Sequence, residues 1–224
     1  MLKKIFINNK ELLFTARRES NDTAIIQEVF TDDAYQLKKL KVRSPSLGGI
    51  LDIGGHIGSF AVFASALWPD SAILTVEPDE ENFSLLEINC VKCKNVSPLY
   101  GAVVGDDEKG WKFLPYHEYP PHVTNTGGGR MSIDGSRDVP LFHIQELIAG
   151  KGVQLVKIDC EGMEGSILKS ARKAGLLGSL PYICGEYHGE QNKDRVRNSL
   201  KDSHNLFFAE TEERWGLFFA EYKK

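Results

Sequence analysis

The residue types able to do chemistry fall in four short blocks, each placed directly after an apolar run of strand length. They are Asp52-Ile53-Gly54-Gly55-His56-Ile57-Gly58-Ser59, Glu77-Pro78, Lys157-Ile158-Asp159-Cys160-Glu161-Gly162-Met163-Glu164 and Glu186-Tyr187-His188. The first block spaces its acid and glycines as Asp-x-Gly-x-x-x-Gly. Glycine tolerates backbone angles that other residues avoid, and it lets the main chain approach a ligand closely. In open α/β sheets, ligands bind beyond the carboxyl ends of the strands, where this loop should lie. A dinucleotide-binding loop would carry glycine at the positions of Asp52, Gly54 and Ile57, so two of the three positions fail and a nicotinamide cofactor is disfavoured.

The same spacing suits S-adenosylmethionine, whose amino-acid end offers an ammonium group to an acid such as Asp52. This cofactor has no pyrophosphate and needs no anion cradle at a helix terminus. Gly54, Gly55, His56, Gly58 and Ser59 complete the expected loop, against the plainer reading of a glycine-rich structural turn. Glu77 follows Asp52 by 25 residues and ends the next apolar run, with Pro78 after it. A carboxylate there can accept hydrogen bonds from both ribose hydroxyls. Asp79 reads as the start of the next helix, and Phe83 as core rather than an adenine platform.

Positioning these blocks requires strands alternating with helices. Ile50–Ile53, Ala72–Val76, Val96–Val104, Val153–Ile158 and Tyr182–Glu186 have strand character; Ser59–Trp68, Glu80–Val91 and Glu164–Ala174 have helical periodicity. Parallel strands joined by helices explain the alternation. Asn205–Glu210 and Gly216–Tyr222 are two close apolar runs and read as an antiparallel hairpin. The expectation is one α/β domain over residues 1–224, with a seven-stranded, mostly parallel sheet closed by that hairpin. Residues 1–48 form an amino-terminal extension with a strand at Leu12–Ala16 and a helix around Thr31–Leu40. Residues 106–140 form an insertion on the acceptor side, with strand-like stretches at Gly110–Leu114 and Met131–Val139. Either segment could wall or cover the site.

Composition narrows the field further. The chain has 224 residues, enough for one well-packed core, and a formal net charge of -4 offers no footprint for nucleic acid. No apolar stretch reaches the length of a bilayer span. Asn8, Asn9, Lys10 and Glu11 interrupt the Ile5-Phe6-Ile7 run too early for a signal peptide, which points to the cytoplasm. Cys90 and Cys93 have half the spacing of a zinc site, but no second pair follows, so the four cysteines read as ordinary thiols in a reducing compartment.

Taken together, Leu51–Phe60, Val76-Glu77-Pro78 and Lys157–Glu164 resemble the FkbM-type methyltransferases, with order and spacing matching over about Ile50–His188. The Lys-Ile-Asp-x-Glu-Gly-x-Glu block is distinctive, whereas the glycine loop is shared with most methyltransferases. His56 stands where that family usually carries Asn. The resemblance implies a Rossmann-like class I methyltransferase fold, S-adenosylmethionine as cofactor with S-adenosylhomocysteine as product, and O-methylation of secondary metabolites, sugars or related small acceptors.

A hydroxyl acceptor must lose its proton as the new bond forms. His188, Glu186 and Asp159 are the candidate bases in that order, because Glu186 and His188 share one face of an extended chain and imidazole titrates near neutrality. Asp159 could also contact the cofactor, while Lys157, Glu161 and Glu164 concentrate charge at the same strand end. A divalent cation on Asp159 and Glu161 is a rival means of activating the acceptor, though no metal is expected. His117, His122 and His143 rank lower, and Trp111 could serve an interface.

Overall fold

The computed structural model of the chain describes residues 1–7, 10–108, 110–115, 125–212 and 215–223. It begins with an antiparallel hairpin, β1 (Leu2–Ile7) and β2 (Lys10–Thr15), followed by helices α1 (Asp22–Phe30) and α2 (Leu37–Arg43). The alternating core follows as β3 (Gly49–Ile53), α3 (Ser59–Leu67), β4 (Ile73–Glu77), α4 (Glu80–Cys90) and β5 (Val96–Tyr100). Short strands β6 (Ala102–Val104), β7 (Lys112–Leu114), β8 (Arg130–Ser132) and β9 (Leu141–His143) then lead into α5 (Ile144–Ile148). The chain closes with β10 (Val153–Ile158), α6 (Glu164–Lys173), β11 (Tyr182–His188), α7 (Glu190–Leu200), β12 (His204–Glu212) and β13 (Trp215–Tyr222).

The expected seven-stranded sheet is present, in the order β12-β13-β11-β10-β3-β4-β5. Strands β3, β4, β5, β10 and β11 pair in parallel, while β13 runs antiparallel to both β11 and β12. The path moves outward from β3 through β4 to β5 and then returns to place β10 on the other flank of β3. That reversal makes the carboxyl ends of β3 and β10 a topological switch point, where adjacent loops diverge and leave a crevice. Helices on both faces bury the apolar strands in two clusters. One is centred on Val156, Ile158, Ile167 and Phe218, the other on Ile50, Phe60, Phe63 and Trp68.

Several boundaries differ from the sequence reading. The helix expected around Thr31–Leu40 is instead two helices separated by Thr31–Gln36, with Asp33 and Gln36 in left-handed backbone conformations. Asp33 explains the break, because its carboxylate accepts from the backbone N–H groups of Leu37 and Lys38 and starts α2 afresh. The single run Val96–Val104 is divided at Gly101, after which β6 leaves the main sheet to pair with β9. The strand-like stretch Met131–Val139 is strand only at its beginning, where β8 pairs antiparallel with β7, and Arg137 adds one isolated bridge to Phe113. Helix α7 has no counterpart in the sequence reading because Val196 and Leu200 alone supply its buried apolar positions. Asp79 caps α4 as expected, accepting from the N–H groups of Glu81 and Asn82. Among the described residues, no helix is long and apolar enough to cross a membrane.

Candidate functional site

The loop after β3 turns sharply, with Gly54, His56 and Gly58 at φ of 80°, 49° and 92°. Glycine answers this geometry at Gly54, where a β-carbon would lie 1.7 Å from the Asp159 carbonyl oxygen. Gly55 is small for a different reason: its β-carbon would meet Thr75 Oγ1 at 2.3 Å and Leu86 at 2.6 Å. These two glycines therefore let the loops after β3 and β10 pack against each other and against α4. His56 is one of the few side chains that tolerate a left-handed backbone, as is Asn. The turn geometry accounts for both residues at this position.

These loops enclose a cavity of about 410 Å³ at the switch point. Its lining includes Gly54, Gly55, His56, Ser59, Glu77 and Pro78 on one side and Lys157, Asp159, Glu161, Glu186 and His188 on the other. The segments outside the alternating core supply the remaining wall. Glu28, Val29 and Tyr35 come from the amino-terminal segment, and Phe113, Asn125, Arg130 and Met131 from the insertion. Trp215, opposite His188 in the sheet register, also lines the cavity. Sequence periodicity gave no sign of Glu28, Tyr35 or Trp215, since their chain positions are remote from every motif. His117 and His122 lie outside the described residues, and His143 lies beside Asp106 at a separate surface depression.

Asp52 and Gly58 lie beneath this surface rather than on it. The Asp52 side chain is fully buried, accepts from Thr75 Oγ1 at 2.8 Å and faces Lys157 Nζ at 3.3 Å. Burial pushes its carboxyl upward, and the Lys157 ammonium pulls it back. Lys157 also donates to the Gly54 carbonyl at 2.5 Å and lies 3.5 Å from Asp159. Asp52 thus fixes the lysine that braces the loop. Glu77 does reach the cavity, with one carboxylate oxygen accepting from His56 N–H and the other from Asp79 N–H. Burial pushes Glu77 up to about 7 against those two donors. Phe83 packs edge-on against Tyr100 and is not part of the lining.

The opposite end is an ionisable cluster. Glu186 and His188 share one face of β11, as their spacing requires, while Tyr187 is buried on the other. Burial opposes charge on His188, but Glu164 at 3.1 Å, Glu161 at 3.5 Å and the nearby Asp159 push it up to about 10. Burial and the Asp159 charge push Glu186 up to about 9. Asp159 behaves in the opposite sense: burial disfavours its charge, yet Lys157, His188 and the Tyr35 hydroxyl at 2.8 Å bring its carboxyl below the usual range. At neutral pH the cluster therefore holds an imidazolium at His188, a neutral acid at Glu186 and a carboxylate at Asp159. The first two candidate bases are already protonated.

Asp159, Glu164 and His188 bring one ligand-type atom each within 4.8 Å of one another. Glu164 is nevertheless committed, since its oxygens accept from the N–H groups of Cys160 and Gly162 and face His188 Nδ1. The imidazolium itself supplies the positive charge at the centre of the group.

The arrangement has known relatives. A family model described as "Methyltransferase FkbM domain" matches residues 52–213. "Methyltransferase 1" of Beauveria bassiana is 25% identical over 167 residues, a match covering 65% of this chain and 65% of that protein. Among solved structures, a precorrin-6y C5,15-methyltransferase from Geobacter metallireducens superposes with a TM-score of 0.53 at 14% identity, covering 93% of each chain. The human methyltransferase 10 domain containing protein gives a TM-score of 0.50 at 9% identity, covering 85% of this chain and 80% of that one. The structural likenesses establish a Rossmann-like methyltransferase fold, while the family match spans the glycine loop, Glu77, the Lys157–Glu164 block and His188. On that evidence the chain belongs to the FkbM family of S-adenosylmethionine-dependent methyltransferases.

Proposed function

We propose that the protein transfers a methyl group from S-adenosylmethionine to a hydroxyl of a small molecule, a secondary metabolite or sugar. The observation that carries this reading is the polarity of the cavity: a ribose-type acid lies at one end and a proton-handling cluster at the other, across a switch point. The residues present fit the cofactor. His56 Nδ1 and Ser59 Oγ are buried polar atoms of the lining without a hydrogen-bond partner, and both are available to a ligand. Glu77 is held by two backbone donors in a posture that leaves its oxygens able to accept from ribose hydroxyls. Ala102, Val103, Phe113 and Met131 give an apolar wall suited to a flat base.

Bound there, S-adenosylmethionine would supply an electrophilic methyl group on a sulfonium. The chain's own contribution is positioning and charge. Asp159, kept ionised by Lys157 and Tyr35, suits the cofactor's ammonium, a role that Asp52 supports from below through Lys157. Pocket walls from α1 and the insertion align the acceptor oxygen, and such alignment lowers a barrier substantially. The neutral Glu186 carboxyl can donate a hydrogen bond to an acceptor oxygen. The competing reading, methylation of an amine or a carboxylate, uses the same cofactor end and differs only in the acceptor.

Calorimetry with S-adenosylmethionine and S-adenosylhomocysteine tests the cofactor assignment. Glu77→Ala should weaken binding about 10–100-fold, the expected loss for hydrogen bonds to a charged group. Because ribose hydroxyls donate to the ionised carboxylate, wild-type affinity should fall as pH drops through about 7, and this dependence should vanish in Glu77→Ala. Absence of binding by the folded wild-type protein would refute the proposal. A labelled-methyl screen of hydroxyl, amine and carboxylate acceptors then separates the acceptor classes.

A further inference from the structure

We propose that Glu161 is the general base that removes the acceptor's proton, a role that rests on the hydroxyl-methylation reading above. The geometry singles it out by what its neighbours are already doing. Asp159 has Tyr35 Oη at 2.8 Å and Lys157 Nζ at 3.5 Å on the same oxygen. Glu164 clamps its own loop through Cys160 N–H and Gly162 N–H. Glu186 faces the Asp159 charge and holds a proton, and His188 is an imidazolium. Glu161 lines the same cavity, and no hydrogen-bond donor among the described residues reaches its carboxylate. Its nearest cation is His188 Nε2 at 3.5 Å, and its side chain is 30% exposed, so a collected proton has a route to water.

The backbone holds this side chain in place. Glu161 has φ of 56°, a left-handed conformation uncommon for a residue with a β-carbon. The loop is pinned on both sides by Glu164 and by Asn192 Nδ2 donating to the Gly162 carbonyl at 2.7 Å. Such strain persists where surrounding contacts over-determine it. The charged groups that face Glu161 are His188 on β11, Asp159 on its own loop, Glu164 on α6 and Arg130 on β8. Burial is the largest influence and, with Asp159 and Glu164, pushes the carboxyl up to about 7 against His188 and Arg130. A base poised near the working pH is the efficient choice.

In the transfer, the acceptor oxygen forms its bond to the methyl carbon as the carbon–sulfur bond breaks and its electron pair returns to sulfur. The hydroxyl proton passes to a Glu161 carboxylate oxygen. The sulfonium becomes a neutral thioether and the carboxylate a neutral acid, so charge balances without another reactant.

The test compares wild type, Glu161→Gln and Glu161→Asp with labelled S-adenosylmethionine against methyl hexopyranosides and substituted phenols. The Glu161 carboxyl is also titrated by ¹³C NMR in the free protein. Glu161→Gln should lower kcat by about 10²–10³-fold while leaving cofactor affinity within about twofold, and Glu161→Asp should restore part of the rate. The acidic limb of the wild-type kcat profile, near pH 7, should disappear in Glu161→Gln. Phenols acidic enough to arrive ionised should lose less. A carboxyl titrating at about 7 and absent from Glu161→Gln supports the role even if no panel member is methylated, whereas titration near 4.5 overturns it. Wild-type-like turnover by Glu161→Gln, with cofactor binding intact, also overturns it and leaves the methyltransferase reading standing; a folded wild type that binds no cofactor defeats that reading instead.

Discussion

Lys157 carries its ammonium from the carboxyl end of β10 into a space with almost no access to water, where Asp52, Asp159 and the carbonyls of Ile53 and Gly54 surround it. A buried pair of this kind contributes little net stability as a pair, but removal of one member leaves the other charge uncompensated. Lys157→Met should therefore lower unfolding free energy by about 3–5 kcal/mol in urea titration. The double variant Asp52→Asn with Lys157→Met should recover part of that loss, and strict additivity of the two single losses would show that the residues do not act as a pair. The acid of the glycine loop thus lies one layer below the cavity wall. Sequence spacing located it correctly in the chain and could not show its depth, because depth depends on where Lys157 and Thr75 from two other strands come to rest.

At the scale of elements, the turn from β3 into α3 is decided by packing against its neighbouring loop. Gly54 and Gly162 make a useful contrast, since both have positive φ but only Gly54 has a neighbour in the path of a β-carbon. Gly54→Ala should cost about 2–4 kcal/mol and lower Tm by roughly 5–15 °C. Gly162→Ala, strained in backbone angle alone, should cost about 1 kcal/mol. Equal losses in thermal denaturation would show that the approach to Asp159 is not what requires glycine at position 54. The alternating strands were legible because burial on both faces forces short apolar runs. Helix α1 has no counterpart in the sequence reading; its first residue, Asp22, is fully buried and paired with Arg17, a contact that local periodicity does not show. Its placement brings Glu28 and Val29 to the cavity.

Across the whole molecule, the amino-terminal segment and the insertion are tied to the glycine loop after β3 by one network. Thr126 Oγ1 lies 2.6 Å from Asp22, 2.9 Å from Asn21 and 2.8 Å from His56 Nε2, while its carbonyl accepts from Asn82. The ionisable cluster gives the fold a characteristic pH response. His188, raised to about 10, contributes stability that is complete below its ordinary value of 6.5 and is lost as pH rises through about 10. Glu186, raised to about 9, has the same sign, with its contribution fading from 4.5 upward. His56 is driven down to about 4 by burial, so its contribution is lost as pH falls below 6.5. Denaturation measured from pH 5 to 10 should show stability declining on the alkaline side, and Glu186→Gln with His188→Gln should flatten that limb; an undiminished decline would place its origin elsewhere. The sequence by itself determined the alternation of the core strands and helices, the glycine turn after β3, the place of Glu77 at the end of β4 and the family block, because these depend on short-range periodicity and on residue types needed at strand ends. Only the tertiary structure decided the depth of Asp52, the arrival of Tyr35 and Glu28 in the cavity, and which acids are protonated. Those properties arise from burial and from charges brought within a few ångströms by elements more than a hundred residues apart in the chain, as Tyr35 and Asp159 are.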